Sequence, residues 1–236
     1  MTKPWFETRP KLLGRIRDGL RVRFPDLQVV QEVGLVYVRG SFPIVHDDIA
    51  LDRYQIEIEF PPDYPKSLPK VRETAGRIPR VLDRHVIPST GDACLFVEED
   101  WLVTVGREPD FFELLDGPVR NFFIGQSLVE AGKPWPFGAR SHGKKGVMEV
   151  YAEWFGTEDE PTIRRYLDCL SREGLKGHWD CPCGSGRRVR ACHAEPLRGL
   201  RERIPTWAAR QAIERLKYLA GLEERQAAHA KEAPRA

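Results

Sequence analysis

Two groups of residues in this chain have the types and spacing to do chemistry, and both are built on cysteine. Cys94 stands alone, in the stretch His85-Val-Ile-Pro-Ser-Thr-Gly-Asp-Ala-Cys94-Leu95. The second group is Cys181-Pro-Cys183-Gly-Ser-Gly-Arg-Arg-Val-Arg-Ala-Cys192-His193. A solitary cysteine after a glycine-containing turn is placed to act as a nucleophile, with a reactivity set by thiolate fraction and access. Free cysteines are also often buried in cores, and Cys94 taken without its surroundings fits that as well. Cys181, Cys183, Cys192 and His193 supply four soft or borderline ligands, the donor set of a closed tetrahedral zinc site. Gly184 and Gly186 let the chain turn tightly around the metal. No open coordination position is implied, so Zn2+ here is structural. A segment this short lacks a core, so the metal supplies much of its folding energy.

Composition narrows the setting. The five cysteines are odd in number and three are clustered, which is not a disulfide framework. A reducing compartment is expected, and the cytoplasm is the expected location. Cys169 shares a helical pattern with Ile163, Tyr166 and Leu170 and reads as a core thiol. The net charge of +2 gives no basic surplus of the kind a dedicated nucleic-acid binder carries. No apolar run reaches the roughly 18–20 residues of a membrane span, and the N-terminus lacks an apolar signal core. A glycine-rich phosphate loop before a helix is also missing. His46, His178 and His229 belong to no constellation.

The elements that must position Cys94 follow from periodicity. Leu12, Leu13, Ile16, Leu20 and Phe24 repeat at helical spacing, predicting an amphipathic opening helix over 10–24 that stops near Pro25. Residues 28–38, 35–42 and 53–60 read as strands, the last two joined by a turn region over Pro43–Asp52. Val71 lies at the edge of a further short strand. The four prolines in Phe60–Pro69 take the chain out of the sheet as a rigid loop. Residues 73–93 form an irregular segment suited to holding a reactive residue at a groove. Residues 109–128 read as helical, with Pro109 in the first turn and a break at Gly117-Pro118. The Gly/Pro/basic stretch 131–146 is the expected boundary. Helices are expected over 147–155, 160–172 and 205–228, with a frayed tail beyond.

The order of strand, Tyr64-Pro65-Lys66-Ser67-Leu68-Pro69-Lys70-Val71, irregular segment, His85 and Gly91-Asp92-Ala93-Cys94-Leu95 resembles the core of ubiquitin-conjugating enzymes. Those enzymes carry a ubiquitin-like protein as a thioester on one cysteine. The resemblance covers residues 1–130 and implies an α+β fold: a helix first, an antiparallel meander, then flanking helices. It makes Cys94 the carrier and His85 the second site residue. Members of the family usually place His-Pro-Asn before the cysteine, and the Asn is associated with stabilising the oxyanion. Here His85-Val86-Ile87 keeps the His and lacks the Asn. Backbone amides, Ser89, Thr90 or the loop around His142 are the candidates for that role. His85 reads as a structural residue bonding the loop backbone. Glu98, Glu99, Asp100 and Asp116 are candidates to position an attacking amine and accept its proton, or else a solvated acidic loop. Trp101 resembles the Trp that follows the cysteine in the family. Tyr64, Pro65 and Pro69 read as scaffold, a surface that in some relatives meets a ligase.

The cluster at 181–193 is similar to the SEC-C motif, found at the end of the bacterial secretion motor and appended to many bacterial proteins. That likeness implies a bacterial source. Several bacterial relatives of ubiquitin-conjugating enzymes are encoded in anti-phage defence operons, some beside a nucleotidyltransferase of the cyclic-oligonucleotide type. Four segments are therefore expected: a ubiquitin-conjugating-like domain over 1–130, a loop and helical extension over 131–175, the SEC-C zinc module over 176–195, and a C-terminal helix and tail over 196–236. The implied partners are a ubiquitin-like protein or other protein C-terminus as cargo, and a separate activating enzyme or nucleotidyltransferase. Two rivals are a non-catalytic variant domain that binds a ubiquitin-like partner and a zinc-dependent adaptor in which Cys94 is incidental. Arg187, Arg188 and Arg190 give the cluster a basic face.

Overall fold

In the computed structural model, which describes residues 3–46, 49–106, 110–137, 141 and 143–232, strands and helices fall into an α+β arrangement. Pro109, Gly138, Arg140 and His142 lie outside the described residues, as do the side chains of His46 and His229. Two units divide the chain. The first takes residues 1–96 and 105–139, the second residues 97–104 and 140–236.

The first unit opens with a short helix, α1 (Trp5–Thr8), and the expected amphipathic helix, α2 (Pro10–Arg23). Pro10 starts α2, where its missing amide costs nothing. Arg21 and Arg23 sit in the last turn, complementing the negative end of the helix dipole. Leu13, Ile16 and Leu20 are buried along one face. Four strands follow as an antiparallel meander in the order β1 (Leu27–Glu32), β2 (Leu35–His46), β3 (Ile49–Phe60) and β4 (Lys70–Glu73). Val38 lies opposite Ile58 and Phe42 opposite Tyr54, and all four are buried. The alternate residues form a polar face, where Glu32, Arg39, Glu57, Arg72 and Asp92 join in a chain of ion pairs.

Within the turn region expected over Pro43–Asp52, residues 43–46 and 49–52 are instead strand. β2 and β3 pair from Val36–Phe60 through to His46–Ile49, with one register shift at Ile44/Val45. Pro43 misled the sequence reading because proline usually ends a strand. Pairing with β1 stops at Gly40, so at Pro43 the strand has a neighbour on one side only, where proline is tolerated.

The first unit resumes after residue 104 with α4 (Phe111–Leu114) and α5 (Arg120–Glu130), the intervening helix α3 (Glu98–Val105) falling almost wholly in the second unit. Asp110 caps α4 by accepting the Phe112 amide at 2.8 Å. Gly117-Pro118 does not break the helix. Leu115–Val119 forms a π-turn, one residue wider, which absorbs the amide that Pro118 lacks. Phe111, Leu114, Leu115, Val119, Phe122 and Phe123 join the core beneath the sheet.

In the second unit, α3 packs with α6 (Gly143–Phe155), α7 (Glu160–Ser171), α8 (Ala194–Arg203) and α9 (Thr206–Glu232). Asp159 caps α7 by accepting the Thr162 amide at 2.9 Å. Ala208, Ala209 and Ala212 on α9 are fully buried beside Leu216, in one core with Ile163, Leu167 and Leu170 of α7. The helix α8 was not expected from the sequence, where Pro196 and Gly199 obscure its period. Among the described residues no helix is long and apolar enough to cross a membrane.

One glycine tests this architecture. Gly40 holds φ at 141°, and a Cβ there would lie 2.0 Å from the Asp26 carbonyl oxygen, which also accepts the Ser41 amide. Gly40→Ala should destabilise the chain by about 2 kcal/mol or more, read from urea unfolding followed by circular dichroism. An unchanged midpoint would mean that the Asp26 turn yields without cost.

Candidate functional site

Cys94 lies at the end of a closed loop whose two arms bond to each other. The Cys94 amide donates to the His85 carbonyl at 2.8 Å, Val86 pairs with Ala93, and the Ile87 amide donates to the Asp92 carbonyl at 2.9 Å. The turn between them is closed by the Gly91 amide donating to Ile87 at 2.8 Å. Gly91 holds φ at 76°, a conformation that glycine adopts without strain. His85 and Cys94 are thus brought together through their backbones.

Each arm is anchored. On the His85 side, the Arg84 guanidinium donates to the Gln126 amide oxygen at 2.8 Å, and the Gln126 side chain donates back to the Arg84 carbonyl at 2.7 Å. Gln126 is fully buried, so this exchange satisfies polar groups that water cannot reach. His85 itself adopts a left-handed backbone, φ 50°, with its ring 4.4 Å from that of Trp135. Trp135 rests on Gly125, where a Cβ would come within 2.4 Å of the indole. On the Cys94 side, the Ala93 amide donates to the Val71 carbonyl at 2.8 Å, and Arg72 Nε meets the Asp92 carboxylate at 2.6 Å. The irregular 73–93 segment is therefore held by the sheet edge below and by α5 above.

Cys94 is half-buried and free. Burial pushes its thiol up from the ordinary value, and the Asp92 carboxylate adds to the shift. Near neutrality the sulfur is protonated, so its chemistry requires the proton to leave as the bond forms. The Cys94 amide is already engaged with His85. Thr90 Oγ1 accepts the Asp92 amide at 3.2 Å.

The acidic candidates fare differently. Glu98, Glu99 and Asp100 open helix α3 in the second unit and are not a solvated loop. Glu99 is fully buried: Tyr151 donates to its Oε1, and Arg215 Nε lies 2.7 Å from each of its oxygens. Trp154 Nε1 donates to Asp100 at 2.7 Å. These carboxylates are spent on folding the second unit. Asp116 is bonded to Arg23 and, at 3.1 Å, to Arg120.

The second group of residues converges. The Nδ1 of His193 lies 3.2 Å from the sulfurs of both Cys181 and Cys192, Cys183 Sγ lies 3.6 Å from Cys192 Sγ, and all four donor atoms fall within 4.8 Å of one another. This cluster could hold a metal ion. A knuckle supports it: the Cys181 amide donates to the Arg187 carbonyl at 2.9 Å, and Gly184 turns back to the Cys181 carbonyl with φ at 79°. Ser185 lies 3.3 Å from both Cys183 and Cys192 and draws the Cys183 thiol down to about 6. The segment is not without a core, as the sequence suggested. Val189 is buried with Tyr166, Cys169 and Leu197, and Arg165 donates to the Pro182 carbonyl at 2.9 Å. Cys169 is a buried thiol in that cluster.

Sequence reasoning missed Trp135, Gln126, Arg72 and Asp92. The alternation Lys70-Val71-Arg72-Glu73 carries the one available signal, since a buried Val71 turns Arg72 to the polar face of β4. No known protein-family model matches the chain, and no curated protein matches it significantly.

The raised Cys94 thiol has a direct readout. Alkylation by iodoacetamide, resolved by peptide mass spectrometry, should be slow at pH 7. It should rise about tenfold per pH unit and keep rising beyond the ordinary thiol value of about 8.5. A plateau reached by pH 8 would show a thiol drawn down instead.

Proposed function

We propose that the first unit is a carrier of the ubiquitin-conjugating type. Cys94 receives an activated protein C-terminus as a thioester and passes it to an amine. In the first step the sulfur loses its proton, the carbon–sulfur bond forms and the activating group departs. In the second, a neutral amine attacks the thioester carbonyl, the thiolate leaves and the amine sheds a proton. The observation that carries this reading is the closed His85–Cys94 loop, pinned to the edge of a four-stranded antiparallel meander. A free, half-buried thiol at the end of a fixed backbone suits a group that must hold a large cargo without oxidising. The cargo is a ubiquitin-like protein or another protein C-terminus, supplied by a separate activating enzyme. A cavity of about 620 Å³ lies beside Tyr64 and Pro65, lined also by Lys11, Arg15 and Phe112. In some relatives of the resembled family the corresponding proline surface meets a ligase, and we propose that a protein partner docks there.

A second reading is favoured by one observation. With its amide engaged and its thiol pushed up, Cys94 has the features of an inert residue in a domain that only binds a ubiquitin-like partner. The two separate on a non-reducing gel of cells expressing the chain with its neighbouring genes. Wild type should show a thiol-sensitive adduct that Cys94→Ala abolishes and Cys94→Lys converts to a thiol-stable one. If no adduct forms while the fold is intact and partners are expressed, the binding-only reading stands.

We further propose that the ion held by Cys181, Cys183, Cys192 and His193 is zinc. Three thiolates and an imidazole are its preferred donors, and bonds of about 2.3 and 2.0–2.1 Å set tetrahedral edges of about 3.5–3.8 Å, beside the 3.2 and 3.6 Å of three pairs here. The site then closes the knuckle and does no catalysis. Purified protein should carry one zinc per chain, and Cys183→Ser should lose most of it. A strong chelator should lower the melting temperature by about 5 °C or more. Full stability without metal would make the cluster a set of ordinary thiols.

A further inference from the structure

Arg72 is the node at which the sheet meets the Cys94 loop. Its Nε lies 2.6 Å from Asp92, and its Nη1 lies 2.8 Å from Glu59 and 3.1 Å from Glu57. Asp92 is the more deeply buried of its partners, with 8% of its surface exposed, and it stands two residues before Cys94. Across the backbone, Arg72 and Asp92 face each other as an isolated antiparallel bridge, and the next pair bonds Ala93 to Val71 at 2.8 Å. One side chain therefore fastens the loop twice, by its position in β4 and by its charge.

The placement has an electrostatic side. A buried carboxylate beside a sulfur that must become an anion opposes that ionisation, unless a cation answers it. Arg72 supplies that cation and stays charged at any working pH. Three other charged groups near the loop are committed elsewhere. Glu57 also binds Arg39, Glu73 accepts the amides of Ala75, Arg77 and Ile78, and Arg84 is bonded to Gln126. The Arg80 guanidinium lies against Gly91, and the His85 ring against Trp135. Asp92 is the near anion and Arg72 its answer.

We propose that Arg72 and Asp92 are a positioning pair for Cys94, in which Arg72 fixes the loop on the sheet edge and neutralises the carboxylate beside the sulfur. This rests on the reading of Cys94 as a carrier thiol. The pair makes a prediction that a purely structural role does not. Removing Arg72 exposes the thiol to an unanswered carboxylate, whereas removing the Asp92 charge relieves it.

The experiment uses the full chain and follows iodoacetamide alkylation of Cys94 by peptide mass spectrometry from pH 7 to 10. Below the thiol's own value, Arg72→Met should slow the reaction about threefold or more, and Asp92→Asn should speed it by a similar factor. The double variant should fall within about twofold of wild type, because the charge and its answer leave together. Single variants that shift the rate in the same direction, or not at all, would overturn the proposal. Circular dichroism checks the fold. If Arg72→Met does not fold, Asp92→Asn decides alone: a faster reaction upholds the pair, an unchanged or slower one removes it. The adduct gel is run on the same variants. Opposite alkylation signs without any wild-type adduct would leave the pair's control of the thiol standing and end the carrier reading. An adduct with like signs would do the reverse.

Discussion

A carboxylate with no access to water must be met by donors and cations, and Glu99 is the place where this chain meets that demand. Stranding a buried ion without its partner costs about 3–5 kcal/mol, a large fraction of the stability of any domain. Tyr151 and Arg215 answer Glu99 from two helices, and Trp154 holds Asp100 beside it. Burial and the neighbouring carboxylate push the Tyr151 phenol well up, so it remains a donor across the whole working range. Together with Val97 and Val103, which pack against the core of the second unit, this site makes the segment just after Cys94 part of that unit. The first unit is consequently made of two stretches of chain, with its closing helices arriving after an excursion.

The two cysteine sites solve opposite problems. At Cys94 the backbone is over-determined and the sulfur is left alone: both arms of the loop are tied, by amide exchange with Gln126, by ring contact with Trp135 and by the Arg72–Asp92 pair. At the second site four donor atoms converge. There a knuckle of backbone hydrogen bonds and the buried Val189 in a small apolar cluster bring them together. In one case the backbone fixes a lone thiol; in the other, it gathers four donor atoms.

What could be read from the sequence followed from period and spacing. The opening helix, the strand over 53–60 and three helices of the second unit, α6, α7 and α9, declare themselves through apolar repeats, and the Cys/His cluster through its intervals. Pro43 hid the length of the central hairpin, because tolerance of proline depends on whether a neighbouring strand is present, which is a tertiary fact. Gly117-Pro118 suggested a break where a π-turn preserves the helix. The largest error concerned Glu98, Glu99 and Asp100, three adjacent acids that look solvated in any local reading. Their partners lie 52 to 117 residues away. Trp135 was invisible for the same reason, since the Gly125 that seats it is ten positions off and on another element.

The separation of Glu99 from Arg215 has a consequence for how the chain is made. All residues of the first unit have been synthesised by position 139, whereas the cation that completes the Glu99 site, Arg215, lies 116 residues after Glu99. On the ribosome, the thiol-bearing half can therefore fold while the segment next to Cys94 still waits for its counter-ion. A nascent chain halted before α9, or one clipped within it, carries a finished sheet and an unanswered carboxylate. Quality-control proteases would meet such a chain with a loose tether beside Cys94, which ties the fate of that segment to translation of the last helix.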